Sequence, residues 1–274
     1  MGINKEVWST MAEAKLFAAT KLLGVSNRKF EGEVKSGKTV NVYTYGDVSV
    51  SDYNEALGVS FQNLKPSTVS MSIDKTKSFA FMVNDLDLIQ NSPDSISEFT
   101  QNAVKEVAIQ IDGDLLDLCK TKIVTNVVNM STVKLDKDNI VSMFEEINIA
   151  LDGADASKDR FVYVDGRTMS ILRQSNLLNS LKVDDGVAGP KNIYKFGDDI
   201  EVLESSLVKA KAGVLTIIAG TKDLINAAVQ VEDIRSSELE DYFATGVKGL
   251  FAYGCEIFNE KKGVKLLFKD YAAL

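Results

Sequence analysis

Between Thr39 and Val83 apolar and polar positions alternate in long runs around a polar, partly aromatic middle. Thr39 to Tyr45, continued by Asp47 to Val50, steps in period two; so does Val69 to Ile73, and Phe79 to Val83 closes the unit with a denser apolar run. Alternation built from β-branched and aromatic residues predicts strands with one wet face. Thr39 to Val50 alone would reach about 40 Å at about 3.3 Å per residue. A two-stranded ribbon of that length cannot bury its own apolar face. It needs a partner surface, and its place in the chain points to another molecule. Ser51 to Pro66 forms the tip, where Tyr53, Leu57, Val59, Phe61 and Leu64 stand among polar residues. Apolar side chains on such an excursion mark contacts; the alternative is a tip folded back on its own ribbon.

Residues 5 to 23 carry the stripe Val7, Met11, Ala14, Ala18 and Leu22 of an amphipathic helix, with Gly24 just past its end. Two readings stand side by side: an ordinary packed helix, or an arm docked on a neighbouring subunit. After Asn91 to Asp94, a turn, either Asp94 or Ser95 can cap a long helix, with Glu98 placed for a capping box to Ser95. Ile96, Phe99, Ala103, Val107, Ile111, Leu115 and Leu118 step at threes and fours through to about Lys122, and Gly113 inside that run marks a close contact or a bend. Ile123 to Leu135 reads as a link to a second helix over Asp138 to Leu151, with Ile140, Met143, Phe144, Ile147 and Leu151 on one face. Phe161 to Val164 is a short buried strand followed by a helix near Thr168 to Arg173; Val183 to Gly197 reads as a glycine-containing polar loop. Strands are predicted at 200–203, 214–219, 246–258 and 263–268, and a helix over Thr221 to Val229. Helices and strands mix without a strict βαβ rhythm, which makes the class α+β.

Composition narrows the function. The 274 residues are 45% hydrophobic, enough for one large core or two smaller ones. The net charge of −8, with no basic run longer than Lys261-Lys262, opposes sequence-specific nucleic-acid binding, yet suits a container whose wall does not trap a polyanionic cargo. No apolar run reaches transmembrane length, and the N-terminus lacks the apolar core of a signal peptide. Glu6 stands where myristoylation wants a hydroxyl. Cys119 and Cys255 read as free thiols in apolar surroundings. Histidine is absent, which removes the commonest general base, metal ligand and near-neutral switch.

Catalytic motifs do not emerge. Gly189-Pro190-Lys191 lacks the spacing and hydroxyl of a phosphate loop, and no Gly-x-Ser-x-Gly elbow occurs. Asp112 and Asp114 imitate the start of a calcium loop, but its glycine and closing glutamate are misplaced and the helical pattern runs through them. Asp184-Asp185 and Asp198-Asp199 read as solvated turns. No cofactor or metal site is expected.

The order of elements resembles the tailed-bacteriophage major capsid protein family, the Hong Kong ninety-seven fold also found in encapsulins. Asn27 to Val34, leading to Val40-Asn41-Val42 and Gly46 to Val50, looks like that family's arm and ribbon entry; Lys77 to Asp85 looks like its return into the peripheral domain. Arg160 to Val164 resembles the central axial strand, Val247 to Gly254 the strand near the C-terminus, and Ala227 to Val231 a helix-to-strand return. At Asn192 to Val202 the usual glycine-rich approach to a strand is replaced by Phe196-Gly197-Asp198-Asp199. The resemblance implies an N-terminal arm (1–34), an extended ribbon or E-loop (35–76), a peripheral domain with a long spine helix (77–130 and 232–262) and an axial domain (131–231 and 263–274). It implies a non-enzymatic shell subunit forming pentamers and hexamers in an icosahedral virion capsid, assembled in the host cytoplasm. A separate scaffolding protein and a portal are the implied partners, the enclosed double-stranded DNA is contacted only non-specifically, and no membrane is involved. Val7, Met11, Tyr53, Leu57, Phe61 and Leu64 are the expected subunit contacts. The alternatives are an encapsulin-type compartment shell and, more distantly, an α+β small-molecule enzyme.

Overall fold

The computed structural model describes residues 15–16, 19–29, 39–44, 48, 50, 52, 62–63, 67–84, 95–184, 190–197, 199–239 and 244–270. Its longest element is helix α2 (Ser95–Lys122), which follows the short helix α1 (Leu22–Val25) and strands β1 (Thr39–Thr44), β2 (Ser67–Ser72) and β3 (Lys75–Asn84). At about 1.5 Å per residue α2 spans about 42 Å. Its apolar stripe buries Val104, Val107, Ala108, Ile111, Leu115, Leu116 and Cys119, while Phe99 near its start stays half exposed. A Cβ built on Gly113 meets nothing within 4 Å, so this glycine marks no close contact.

Strand β4 (Val127–Lys134) precedes helix α3 (Ile140–Asp152), on which the five expected core positions Ile140, Met143, Phe144, Ile147 and Leu151 are all fully buried, while Val141 and Ile149 face outward. Strand β5 (Arg160–Val164) leads to helix α4 (Gly166–Gln174), which begins two residues before the expected Thr168 because the Asp165 carboxylate accepts the N–H groups of Arg167 and Thr168. Then follow β6 (Leu178–Asp184), β7 (Pro190–Phe196), β8 (Ile200–Glu204), β9 (Val214–Thr221), β10 (Ile225–Glu238), β11 (Ala244–Ile257), a 3₁₀ turn (Glu260–Lys262) and β12 (Gly263–Lys269).

The strands form three sheets. Seven make a mixed sheet in the order β4-β12-β9-β5-β8-β7-β6, with β12 parallel to β4 and β5 parallel to β8. Leu266 and Phe268 of β12, and Leu215 and Ile217 of β9, are buried on one face together with α3. Phe144 of α3 stacks on Phe196 of β7 at 3.9 Å between ring centroids. Buried Arg160 joins β5 to α3, donating to Asn148 Oδ1 at 2.5 Å and pairing with Asp152. A second sheet runs β10-β11-β3, all antiparallel, and the third is the pair β1-β2.

Four sequence expectations change. Residues 221–229 form the end of β9, a turn and the start of β10 rather than a helix, because Ala227, Ala228 and Val229 pair with Cys255, Gly254 and Tyr253 of β11. The link at 123–135 contains β4, whose partner β12 lies more than a hundred residues away. The range 183–197 contains the whole of β7, paired residue for residue with β6. Gly24 lies inside α1, and Ser26 ends that helix, its backbone N–H and its Oγ both donating to Leu23 O at 3.2 and 2.7 Å.

The N-terminal segment is fixed to α2 by one carboxylate. Lys21, at the start of α1, supplies no side-chain cap. Asp112, buried on α2, accepts the backbone N–H of Lys21 at 2.7 Å and of Leu23 at 3.3 Å. Leu16, Leu22, Leu23 and Val25 are buried beside it in the main core. The segment then adds to the edge of β10: Asn27 N–H donates to Ile225 O (2.8 Å), and Ala227 N–H donates to Asn27 O (3.1 Å). Leu16, Leu22, Leu23 and Val25 therefore pack on the subunit's own core, while Val7, Met11, Ala14 and Ala18 of the expected stripe lie outside the described residues.

Burial pushes the Asp112 carboxyl up from 3.8 to about 6, against the N–H groups of Lys21, Leu23 and Leu22, which favour the anion. The native state therefore holds this proton more tightly than the unfolded chain does. The contribution to stability is fullest below about pH 4, falls as pH rises through about 6, and is then flat; its span is about 3 kcal/mol. Asp112→Asn keeps an acceptor oxygen and cannot ionise. Urea melts from pH 4 to pH 7 should show wild-type stability declining by about that amount relative to the variant, and parallel curves would refute the assignment.

Candidate functional site: the ribbon root

The pair β1-β2 is in unbroken antiparallel register from Thr39 opposite Ser72 to Thr44 opposite Ser67. Among the described residues, its root reaches the body of the subunit through Met71 and Ile73. Along β2 and the residues after it, Thr68, Ser70 and Ser72 are exposed, Val69 is half-buried, and Met71 and Ile73 are buried. Met71 and Ile73 form a small satellite core with Ala228 of β10 and Ala252 of β11, flanked by Phe258. Each of the two large side chains contributes roughly 1.5 to 3 kcal/mol on burial.

Small residues under the root make this possible. Gly254 of β11 pairs with Ala228, and a Cβ added to it would lie 2.2 Å from Ser72 O and 2.9 Å from Ser72 C. Only glycine lets the β2 backbone lie this close to the sheet. The outer face of the three-stranded sheet continues away from the root through Leu250 and Met82, which are 41% and 59% exposed. On the inner face Phe79 and Phe81 stack at 6.0 Å, and Phe81 meets Phe99 of α2 at 6.1 Å.

Asp114 locks that inner face to α2. It accepts the Tyr253 hydroxyl and pairs with Lys75 (3.9 Å) and Lys77 (3.8 Å) of β3. Burial, followed by the neighbouring Asp114, holds the Tyr253 hydroxyl well above its ordinary range, so it stays a donor.

The six expected contact residues, Val7, Met11, Tyr53, Leu57, Phe61 and Leu64, all lie outside the described residues. Near the tip, Val48 and Val50 are 64% and 94% exposed. Sequence reasoning missed the root residues Met71, Ile73, Ala228, Ala252 and Gly254. Met71 and Ile73 stand in the alternating run, but their partners are far along the chain. Asp112 did carry a signal, since it sits one turn from Ala108 on the buried stripe of a helix.

Catalytic chemistry finds little footing. Among the described residues no three Asp, Glu or Cys side chains converge to hold a metal, and no helix is long and apolar enough to cross a membrane. Cys119 and half-buried Cys255 are free thiols; burial, and then the nearby Cys255, push Cys119 up to about 12, far from a reactive thiolate.

No family model and no curated protein matches the sequence. Solved structures do. A chain of Mycobacterium phage Che8 superposes with a TM-score of 0.69 at 20% identity, over 91% of this chain and 90% of that one. The capsid structure of cyanophage P-SCSP1u gives 0.67 at 12% identity, over 92% and 89%. The holo-SrpI encapsulin complex of Synechococcus elongatus gives 0.56 at 12% identity, over 88% and 87%. With its ribbon, long helix and two larger sheets, the chain has the α+β, Hong Kong ninety-seven-like fold of tailed-phage capsids.

Proposed function

We propose that this chain is a major capsid protein that self-assembles into the icosahedral shell around the double-stranded DNA of a tailed bacteriophage. The observation that carries the reading is a likeness to phage capsid structures over about nine-tenths of both chains, with higher TM-scores than the encapsulins give. The ribbon supports it physically. Among its described side chains only Met71 and Ile73 are buried in the subunit's own core, and a ribbon of this length needs a further surface.

In this reading residues 1–34 are the arm and 35–76 the ribbon. The three-stranded sheet with α2 belongs to the peripheral domain (77–130 and 232–262), and the seven-stranded sheet to the axial domain (131–231 and 263–274). The sheets refine those limits, because β4 crosses 130/131 and β10 crosses 231/232. Axial domains gather into pentamers and hexamers, and Val7, Met11, Tyr53, Leu57, Phe61 and Leu64 contact neighbouring copies. The subunit is structural rather than enzymatic, works with a separate scaffolding protein and a portal, and is assembled in the host cytoplasm into the virion capsid. Many weak contacts between acidic subunits make assembly steep in concentration and salt.

Electron microscopy of the purified chain should show closed shells or their capsomers; a discrete monomer at high concentration and high salt would overturn the proposal. Shells that co-purify with a protein cargo and never with DNA would favour the encapsulin reading, which the likeness to the encapsulin complexes keeps second.

Two variants separate the tip from the root. Phe61→Asp should leave the melt unchanged and abolish shells, at a loss of roughly 1.5 to 3 kcal/mol per repeated contact. Circular dichroism and sedimentation check it, and a folded variant that still closes shells would count against the arm role. Gly254→Val forces the β2 backbone off β11 and should cost about 1 to 3 kcal/mol. Hydrogen exchange should quicken in β1 and β2 while α2 and α3 keep their protection.

A further inference from the structure

We propose that Cys119 of α2 and Cys255 of β11 form an oxidation site. A small-molecule disulfide such as oxidised glutathione converts this neighbouring pair of thiols into an intrachain disulfide that joins the long helix to the three-stranded sheet. The inference goes beyond the shell reading and does not depend on it.

The chain has two cysteines, far apart in sequence, and the fold brings them together. Along β11 the side chains of Val247, Phe251 and Tyr253 fall on the buried inner face. Cys255, two residues past Tyr253, stands on that same face, while Gly254 between them opens the outer face to Ser72. On α2, Cys119 follows Leu115 by about one turn on the buried stripe and is itself fully buried. Two contacts set helix and strand side by side: Asp114 with the Tyr253 hydroxyl, and Lys122 Nζ with Glu256 Oε1 at 3.1 Å. Between them, Cys119 lies about 7.5 Å along the helix from Asp114, and Cys255 about 6.6 Å along the strand from Tyr253. The two residues therefore stand level. Both belong to one core, and a charge on Cys255 acts directly on the Cys119 thiol.

An isolated buried thiol is a small apolar filler. Two that adjoin with unequal access are a different unit, because access orders the chemistry. Cys255 is half-buried and free, and so is the thiol that an external reagent meets. Burial raises it, with the Lys75 ammonium working against that rise. Its thiolate attacks one sulfur of the external disulfide, forming a mixed disulfide and expelling one thiolate, which takes up the proton that Cys255 shed. The Cys119 sulfur gives its proton to solvent, attacks Cys255 Sγ and expels the second thiolate, which is protonated in turn. One external S–S bond and two protein S–H bonds become one protein S–S bond and two external S–H bonds. The protein loses two electrons and the external disulfide gains them.

The bond closes a loop of more than a hundred residues, which removes much conformational entropy from the unfolded chain. It also fixes α2 to β11 between two contacts that both depend on carboxylates, those of Asp114 and Glu256. A covalent tie at that point holds whatever the salt or the pH. A reducing compartment keeps the pair open, and an oxidising one closes it.

The reduced full chain, kept native with oxidised glutathione at about pH 8.5, tests this by intact mass and peptide mapping. Expected are the loss of two hydrogens and a single linked peptide pair containing Cys119 and Cys255. The melting midpoint should rise by about 5 to 10 °C, and dithiothreitol should reverse the rise. Cys119→Ala should stop at one bound glutathione, and native Cys255→Ser should take up none. A wild-type chain halted at the mixed disulfide would place the two Cα atoms beyond the roughly 7 Å that a disulfide spans, and overturns the proposal. So does a bond formed only between chains, and so do thiols that react only after unfolding in urea. The wild-type masses decide the matter even where a variant folds poorly. Shell formation, present or absent, changes none of these outcomes.

Discussion

Asp112 and Asp114 stand two residues apart on α2, about 200° around the helix, and that separation fixes what the helix can hold. One carboxylate turns to the N-terminal segment and takes its backbone N–H groups. The other turns to the three-stranded sheet and gathers Tyr253, Lys75 and Lys77. The sheet so fixed presents its outer face to the ribbon root through Ala228, Ala252 and Gly254. Residues 19–29 and the root of the β1-β2 pair therefore take their positions from a single helix. A buried acid is a costly clasp, yet three N–H donors on a short helix without its own cap leave few other partners for it.

The parts legible in the sequence are those whose burial follows a local period. Helix α3 buries the five residues its spacing marks, and α2 ends where its stripe ends. The ribbon pair is legible for the same reason, because both strands alternate. β10 misled because Leu224, Ile225, Ala228 and Val229 step at threes and fours like a helix. Its alanines are small for another cause, namely the approach of β2. β4 hid because it lies at a sheet edge with five of its eight residues exposed, and its partner β12 comes at the far end of the chain.

The ribbon shows the same division. Val48 and Val50 end the alternating run exposed, and the apolar residues of the excursion after them lie outside the described residues. The root was invisible because a glycine's role depends on what approaches it, and Ser72 reaches Gly254 only in three dimensions.

The strand order has a kinetic consequence. β12, which follows every other described strand in the chain, lies between β4 and β9, one strand in from the edge of its sheet. Until residue 269 has left the ribosome, β4 has no strand to pair with, and the sheet has an open seam. Such late, long-range closure is slow to form and is rewarded only when complete. Until then the unpaired edges of β4 and β9 leave a nascent chain open to pairing with its neighbours on the same message, and the sheet is protected from such association only once β12 has filled the gap.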